Sequence, residues 1–550
     1  MNTGKHKFYT TTLKAFPLYG ILLFCFALLI VPALAQSQPK TSSRILLIPL
    51  DDRPPCLQFP VKMGLIGDAE IVTPPKELLG RFTEPGNSDQ IIKWLKTQNL
   101  KSFDAAIVSV DMLAYGGLVA MRVHQTDNVT AMRRLEFLRE MRSLAPKMKI
   151  YGSSVIMRLA PTGDVKNEAY REKLARWAEI SVESDAKSKG ETAKLEKEIP
   201  AFALADYKAA RARDLKINLQ TIDFVREGTI DYLILSQDDA KPKGIHVADR
   251  EKLIAETNRL KLSEKITVQP GADEVSMLLL ARSLTDKYNF HPRIKAIYSS
   301  EELANKAMPF EDRALRETVS FHIKANGSRE VQNEKDADLL FYVYPSRFEA
   351  GRAVSFAEEI AVNIKKGKRI IVADIDPKGD VQGGDKVFTN ELGKRGILRE
   401  LNGYASWNTA GNTIGTALPH GVVFALARAK LMKSKDIANR VQAAQNWFVF
   451  HRVLDDFYYH TLVRAEAKKF IAQNKWNPFR LSDAETEKVE QFSRKLMLES
   501  FTELSNIYFG DDKNNLPKNS MCQKASNITF DLPWNRTFEA EIDFQIICRN

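Results

Sequence analysis

The chain has 550 residues, with 80 Lys and Arg against 69 Asp and Glu, so its formal net charge is +11. An apolar fraction of 44% together with 27% charged residues excludes a disordered or collagen-like chain, and four cysteines are too few for a disulfide-framework protein. The length suits two or three structural units, or one α/β barrel with insertions.

The N-terminus has the pattern of a secretory signal peptide. Three lysines precede an apolar run from Leu18 to Val31, and Ala33-Leu34-Ala35 then supplies small residues at the spacing of a cleavage site. The run is shorter than a membrane-spanning helix needs, so we predict cleavage after Ala35 and a secreted or periplasmic protein. An uncleaved N-terminal anchor is the alternative. Cleavage removes the three lysines and no acidic residue, which lowers the charge from +11 to +8.

Nine short apolar runs then alternate with longer amphipathic segments, which predicts buried parallel strands joined by crossover helices. The runs are 44–50, 69–73, 104–110, 149–157, 231–236, 266–269, 294–298, 338–344 and 369–373. The fold class is therefore α/β. We favour a (β/α)₈-like barrel with one additional strand, and the alternative is two doubly wound parallel sheets joined near residues 285–335.

The C-terminal third has a different pattern. Long amphipathic stretches from about Pro419 to Phe509 predict a helical layer, and alternation over 527–547, clearest over 537–544, predicts a strand within a hairpin. A disulfide between Cys522 and Cys548 is permitted in an oxidising compartment and would leave Cys56 unpaired. We therefore divide the chain into a signal peptide (1–35), an α/β unit (36–418), a helical region (419–510) and a small β appendage (511–550).

Polar residues that follow the apolar runs are the candidates for a site, because ligands of parallel α/β folds bind at the carboxyl ends of the strands. Acidic residues recur at these positions, accompanied by two arginines. The set is Asp51, Asp52, Arg53, Asp111 with Tyr115, Arg158, Asp238, Asp239, Asp273, Glu274, Asp374 and Asp376. A single acidic residue after a strand is often a helix cap, but five strands that end this way predict a carboxylate-lined mouth.

Paired carboxylates can act as acid and base on a glycosidic bond, bind Mg²⁺ or Ca²⁺, or hold sugar hydroxyls or an ammonium group. Asp238 and Asp239 can both reach a ligand if the pleat breaks after the strand. Downstream, Trp407 offers a flat face for a sugar ring, and the Asn408 and Asn412 amides suit hydroxyl or acetamido groups. The same residues could instead form a loop and a helix cap.

Cofactor and nucleic-acid motifs are weak or missing in the sequence. The eight histidines are scattered and there is no CxxC motif, so we predict no structural zinc site, although the carboxylates could take a divalent metal. No basic helix or recognised nucleic-acid module occurs. We expect no nucleic-acid partner, and membrane contact only through an uncleaved signal segment.

Six short motifs occur along the chain: PLDDRP at 49–54, PKELLG at 75–80, SVDML with YGGL over 109–118, SQDD at 236–239, PGADE at 270–274 and WNT at 407–409. As a set they resemble a bacterial family that is catalogued only as a domain of unknown function. The resemblance spans nearly the whole mature chain. It implies a bacterial protein of about this length and names no reaction.

A looser likeness is to retaining hexosaminidases of the O-linked N-acetylglucosamine hydrolase type, in which adjacent aspartates end a barrel strand. One carboxylate of that pair activates the acetamido group of the substrate, and its neighbour protonates the leaving oxygen. The resemblance implies that Asp239 is the polarising residue and Asp238 the general acid/base, or the reverse order.

Our leading hypothesis is thus an exported glycoside hydrolase that works through Asp238 and Asp239 on a small-molecule or oligosaccharide substrate. The residues expected to hold the sugar are Asp51, Asp52, Arg53, Asp111, Tyr115, Arg158, Asp273, Glu274, Asp374, Trp407, Asn408 and Asn412. The alternatives are a metal-dependent hydrolase that uses the same carboxylates and an exported sugar-binding protein without catalytic activity.

Overall fold

The computed structural model describes residues 41–164, 166–478, 480–510 and 522–548. The predicted signal peptide lies outside these residues. Among the helices of the described chain, none combines the length and apolar character that crossing a membrane requires.

The first sheet has six parallel strands in the order β2-β1-β3-β4-β5-β6. Its strands are β1 (Ser43–Ile48), β2 (Ala69–Val72), β3 (Ala105–Ser109), β4 (Lys149–Ile156), β5 (Tyr232–Gln237) and β6 (Ile266–Pro270). Alternate residues of these strands enter two different apolar clusters, because successive side chains of a strand point to opposite faces of the sheet. Helices cover both faces, which explains why the strands are apolar runs rather than alternating patterns.

The second sheet has five parallel strands in the order β8-β7-β9-β10-β11. Its strands are β7 (Arg293–Tyr298), β8 (Arg329–Glu330), β9 (Leu339–Tyr344), β10 (Ile370–Asp374) and β11 (Gly403–Ala405). Two of them, β8 and β11, are only two and three residues long. They lack an apolar run and escaped prediction.

The two open sheets overturn the barrel that we favoured from the sequence. Closure would require the last strand to pair with an earlier edge, whereas β2 and β6 lie at opposite edges of the first sheet. The doubly wound alternative is confirmed, and each of the nine predicted runs contains a strand. Both architectures need the same alternation of buried strands and crossover helices, so the local pattern could not distinguish them.

Nineteen α-helices surround the sheets in the described chain. Those of the first half are α1 (Gln58–Ile66), α2 (Ser88–Thr97), α3 (Val110–Tyr115), α4 (Leu118–Met121), α5 (Asn128–Leu135), α6 (Phe137–Leu144), α7 (Arg171–Ile180), α8 (Ala186–Glu198), α9 (Ala201–Arg226), α10 (Ile245–Arg259) and α11 (Val275–Lys287). Those of the second half are α12 (Glu301–Ala304), α13 (Leu315–Ala325), α14 (Arg352–Lys365), α15 (Lys386–Lys394), α16 (Ala410–Leu426), α17 (Lys435–Val453), α18 (Arg464–Gln473) and α19 (Asp483–Phe509).

Two apolar helices join the sheets into one core. Every residue of α16 is buried, and α16 packs against α11 on one side and against β10 and β11 on the other. The α11 helix in turn packs on β3 and β4 of the first sheet. Both helices therefore lie between the two sheets, and they hold the carboxyl-end loops of both in fixed positions.

The C-terminal layer is helical, as the sequence predicts. A π-helical stretch over Leu454–Val463 connects α17 to α18, and α19 packs on the final hairpin. That hairpin pairs β12 (Cys522–Asp531) with β13 (Glu541–Cys548) in antiparallel register, and the Cys522–Cys548 disulfide closes it. Cys56 is a buried free thiol, as expected. The predicted strand over 537–544 is partly wrong, since residues 532–540 form the loop between the two strands.

Candidate functional site

A cavity of about 670 Å³ lies where the carboxyl-end loops of the first sheet meet loops of the second sheet, helix α18 and the loop of the C-terminal hairpin. Most of its polar lining follows strands, as expected for doubly wound sheets. The residues that line it and carry the argument below are Arg53, Arg122, Arg158, Arg171, Asp238, Asp239, Asp273, Glu311, Gln382, Asn408, Asn412, Arg464, Lys468, Trp476, Trp534 and Arg536.

Asp238 and Asp239 directly follow β5, and both line the cavity. Asp238 is buried and accepts a hydrogen bond of 2.5 Å from Nη2 of Arg122. Asp239 is half-buried, and its Oδ2 accepts a hydrogen bond of 2.7 Å from Nη1 of Arg158. The strand ends at Gln237, so the pleat no longer forces the two side chains to opposite faces.

The two carboxyl groups have opposite pKa shifts. Burial opposes ionisation of Asp238, but the charges of Arg122 and Arg158 outweigh it and hold the pKa of Asp238 below its usual value. Burial, and then the negative charge of Asp238, raise the pKa of Asp239. The pair therefore supplies one carboxyl that stays ionised and one that keeps its proton more readily.

Arg53 forms hydrogen bonds with three carboxylates at the wall of the cavity. Its guanidinium bonds Asp273 through two nitrogens, at 3.1 and 2.7 Å, and donates to Asp51 at 2.6 Å and to Glu539 at 3.3 Å. Arg53 is 4% exposed, and burial raises the pKa of Asp273 to about 6. Asp273 and Arg53 line the cavity, whereas Asp51 lies behind them and orients Arg53.

Asp52 also acts from behind the cavity wall. Its Oδ1 accepts a hydrogen bond of 2.8 Å from Nε1 of Trp534, whose ring lines the cavity. Burial raises the pKa of Asp52 to about 6. The side chain thus positions an aromatic wall and does not itself line the cavity.

Asp111 and Tyr115 lie away from the cavity. Asp111 is in the first turn of α3, where its carboxylate accepts a 3.0 Å hydrogen bond from the backbone N–H of Val155. Burial and the neighbouring Asp214 raise the pKa of Asp111 to about 8. The ring of Tyr115 packs against the guanidinium of Arg213 at 4.0 Å. Both residues are part of the packing between α3 and the surrounding elements, contrary to the sugar-binding role that we expected.

The 407–412 segment divides between cavity and core. Asn408 and Asn412 line the cavity, and Nδ2 of Asn408 donates to Oδ1 of Asn412 at 2.8 Å. Nδ2 of Asn412 donates at 2.7 Å to Glu274, which is fully buried behind the wall. Trp407 is buried too, with its indole N–H on Thr416 at 3.0 Å, so it offers no face to a sugar.

Asp374 and Asp376 belong to a separate cluster at the end of β10. Nη2 of Arg347 donates a hydrogen bond of 3.2 Å to Asp374, and Nη1 of the same guanidinium lies 3.6 Å from Asp376. Burial raises the pKa of Asp374 to about 6. Neither aspartate lines the cavity, and the loop that follows β10 folds back so that the backbone N–H of Asp385 donates to Asp374.

A family model described as "Protein of unknown function (DUF4127)" matches residues 45–543. The chain belongs to this family. The match confirms the resemblance that the six motifs indicated and covers both sheets, the helical layer and most of the final hairpin. No curated protein matches the chain.

The site of this DUF4127 chain also contains residues that the sequence analysis missed. Glu311 lines the cavity, and its carboxylate accepts hydrogen bonds from the backbone N–H of Gly411 and, at 2.9 Å, from Thr318 Oγ1. Burial raises the pKa of Glu311 to about 7. Glu311 follows no predicted strand, so a search restricted to strand ends could not find it.

Most of the missed residues are cationic. Arg122 follows α4, Arg171 begins α7, and Arg464 and Lys468 are four residues apart on α18. The only sequence signal was that last spacing, which puts two cations on one helix face. In all, seven cationic side chains against four carboxyl groups line the cavity within the described residues. The carboxylate-lined mouth that we expected is therefore predominantly cationic.

The donor set does not suit a divalent metal. Across the described ranges, no group of three or more His, Cys, Asp or Glu side chains is arranged to hold a metal ion. Asp238, Asp239 and Asp273 each accept hydrogen bonds from an arginine instead. A cation placed between them would have to compete with these guanidinium groups.

Proposed function

We propose that the chain is a glycoside hydrolase in which Asp239 is the general acid and Asp238 is the ionised carboxylate. The proposal rests on two adjacent carboxyl groups that follow β5, line one cavity and are each held by a different arginine. Their opposite pKa directions fit a division into an acid and an ionised partner. The hexosaminidase likeness left the order of the two roles open. Both aspartates contact an arginine, but the charges of Arg122 and Arg158 outweigh burial only at Asp238, which favours Asp238 as the charged partner.

The cavity suits a sugar in size and in lining. Its volume of about 670 Å³ is in the range of small-molecule sites. Gln382, Asn408 and Asn412 offer amide donors and acceptors for hydroxyl or acetamido groups. Trp476, which is only partly buried, offers the aromatic surface that we had assigned to Trp407.

In this scheme the proton of Asp239 passes to the glycosidic oxygen as the bond to the anomeric carbon breaks. The ionised Asp238 carboxylate stabilises the positive charge that develops on the sugar, or polarises an acetamido group that attacks the anomeric carbon. Arg158 holds the side chain of Asp239 in place, and Arg122 keeps Asp238 ionised. Water then completes the hydrolysis and returns a proton to Asp239.

The test compares aryl glycosides that have good and poor leaving groups. Loss of the general acid in Asp239→Asn should lower kcat by about 10²- to 10⁴-fold for poor leaving groups, and much less for a dinitrophenyl group that needs no protonation. Asp223→Asn, on the exposed face of α9, changes the same charge outside the cavity and should leave kcat unchanged. Equal rates for wild type and Asp239→Asn on every substrate would refute the assignment.

The same assay addresses the binding-protein alternative. If wild-type protein binds an oligosaccharide that chromatography recovers intact after long incubation, the site captures a sugar without cleaving it. The metal-dependent alternative has no suitable ligand set among the described residues. If exhaustive chelation abolished the activity and Mg²⁺ or Ca²⁺ restored it, the result would favour the metal-dependent hydrolase.

We also propose that the protein is exported. The N-terminal pattern supports this, and so does the Cys522–Cys548 disulfide, since disulfides persist in oxidising compartments. Mass spectrometry of the mature protein should find Gln36 at its N-terminus. A mature chain that retains residues 1–35 would favour the anchor.

A further inference from the structure

The cavity holds more positive charge than its own carboxylates compensate. Arg122 pairs with Asp238, Arg158 with Asp239, and Arg53 with Asp273. Arg536 pairs with Glu539, which lies just behind the wall. Three cations that line the cavity remain: Arg171, Arg464 and Lys468. Within the described chain, none of them has a carboxylate oxygen within 4.0 Å.

Arg464 is the most constrained of the three. It is 5% exposed, its guanidinium lies 4.8 Å from the ring centre of Phe538, and its Nε has no hydrogen-bond partner among the described residues. Among the described residues, the one hydrogen-bond contact of its Nη1 is with Nδ1 of His460, at 3.4 Å. Burial lowers the pKa of His460 far below its usual value, so this imidazole is neutral.

The charges of Glu539 and Asp455 act on Arg464 without forming an ion pair with it, and each carboxylate accepts a hydrogen bond from another arginine, although Oδ1 of Asp455 has no hydrogen-bond partner among the described residues. Asp455 accepts a hydrogen bond of 2.7 Å from Arg452, and Glu539 is bonded to Arg53 and Arg536. Lys468 lies one helical turn beyond Arg464 on the same face of α18. Lys468 is exposed overall, but partial burial, and then the charge of Arg464, lower its pKa.

We propose that Arg464 and Lys468 bind an oxyanion of the substrate, which is a carboxylate, sulfate or phosphate group carried by the sugar. The proposal rests on the glycoside hydrolase function and specifies its substrate as an anionic saccharide. A buried guanidinium with free donors and an adjacent ammonium repel each other when the cavity is empty. An oxyanion removes that repulsion and accepts their hydrogen bonds. Arg171, near Arg158 in the same cavity, adds to the attraction.

Isothermal titration calorimetry of the mature protein tests this with four probes: sodium glucuronate, inorganic sulfate, inorganic phosphate and neutral glucose. At least one of the three anions should bind, more tightly than glucose does, and the preferred probe identifies the oxyanion. Lys468→Gln should weaken its binding about tenfold or more, because a hydrogen bond to a charged group is lost. Added salt should weaken binding by the wild type as well.

Lys469→Gln is the matched control. It removes the same charge one residue away, on a side chain that pairs with Glu466 at 2.7 Å outside the cavity, and binding should not change. Because Arg464 also packs on Phe538, Arg464→Gln could disturb folding, and Arg464→Lys provides a second, milder variant. The proposal is wrong if no anion binds the wild type better than glucose does, or if Lys468→Gln and Lys469→Gln have equal effects.

The outcome is independent of the catalytic assignment. Asp239→Asn keeps Arg464 and Lys468, so it should bind the preferred anion at least as tightly as the wild type. Anion binding that depends on Lys468 in a protein that cleaves no glycoside would refute the hydrolase and leave the oxyanion site intact. Cleavage of neutral glycosides at rates that no anion affects would support the hydrolase and refute the oxyanion site.

Discussion

Arg53→Met removes the buried cation that pairs with three buried carboxylates. Arg53 is 4% exposed and lies 2.6 Å from Asp51, 2.7 Å from Asp273 and 3.3 Å from Glu539. Methionine is apolar and of similar length, so the substitution leaves three carboxylates with much less compensating charge. Removing one partner of a buried ion pair costs about 3 to 5 kcal/mol, because the remaining charge stays out of water.

That cost can be converted to a melting temperature. At about 2.1 cal/mol/K per residue, a cooperative unit of about 500 residues has an unfolding entropy of about 1 kcal/mol/K, so 3 to 5 kcal/mol corresponds to a Tm lower by about 3 to 5 °C. Scanning calorimetry at pH 7.5 measures this shift. Arg259→Met is the control, since Arg259 pairs with Glu256 on the surface with its side chain 67% exposed. Its Tm should equal that of the wild type within error.

The pH dependence of the Tm difference tests whether uncompensated carboxylate charge causes the loss of stability. Burial already raises the pKa of Asp273 to about 6, and loss of Arg53 can only raise it further. At pH 5 this carboxyl is therefore protonated in the variant, one unpaired charge is gone, and the Tm difference should be smaller than at pH 7.5. A Tm within 1 °C of the wild type at pH 7.5, or a difference that does not shrink at pH 5, would refute the reasoning.

Two further substitutions test the parts of the fold that position the site. Burial and Asp214 raise the pKa of Asp111 to about 8, above its unfolded value of 3.8, so this group makes the wild type lose stability as the pH rises from about 4 to about 8. Asp111→Asn should flatten the fall in Tm between pH 5 and pH 8, and an unchanged slope would contradict the assignment. Gly271→Ala should lower the Tm by several degrees or prevent folding, since Gly271 has a φ of +103° and a Cβ there would overlap the Glu274 carboxylate. Gly367→Ala, at φ +78° with no atom within 4 Å of its Cβ, should cost only about 1 to 2 kcal/mol, and equal losses would show that the overlap does not matter.

The local pattern was enough to predict the strands and the residues at their ends. Runs of Ile, Val, Leu and Ala predicted nine of the eleven strands of the two sheets, because strands buried on both faces must be apolar throughout. The carboxyl ends of parallel strands meet at one edge of a sheet, which is why Arg53, Asp238, Asp239 and Asp273 were predicted and are found in one cavity.

Residues on helices and in loops escaped that rule. Arg122, Arg171, Arg464 and Lys468 come from α-helices or their flanks, and only packing brings them to the same cavity as β5. A charged residue on a helix faces solvent by default, so the sequence gives no reason to assign it to a site. These four side chains make the lining of the cavity predominantly cationic, whereas the residues at the strand ends alone had predicted a negatively charged lining.

The local pattern also did not predict which candidate side chains would be buried. Trp407, Asp111 and Tyr115 have the residue types of a sugar site, yet the structure buries each of them against a neighbouring element. Trp534 lies in the 527–547 stretch that alternation had predicted as part of a hairpin, but the structure puts it in the hairpin loop, 2% exposed at the wall of the cavity with its indole N–H on Asp52.

The amino-acid sequence by itself determined the α/β class, the family, the helical layer and the aspartate pair at the end of β5. These depend on hydrophobic periodicity and on short motifs, which are local properties of the chain. Only the tertiary structure decided between a barrel and two open sheets, and between a carboxylate-lined and a cationic cavity. Strand order and the charge of a cavity depend on which distant segments pack together, and long-range packing leaves no periodic signal in the sequence.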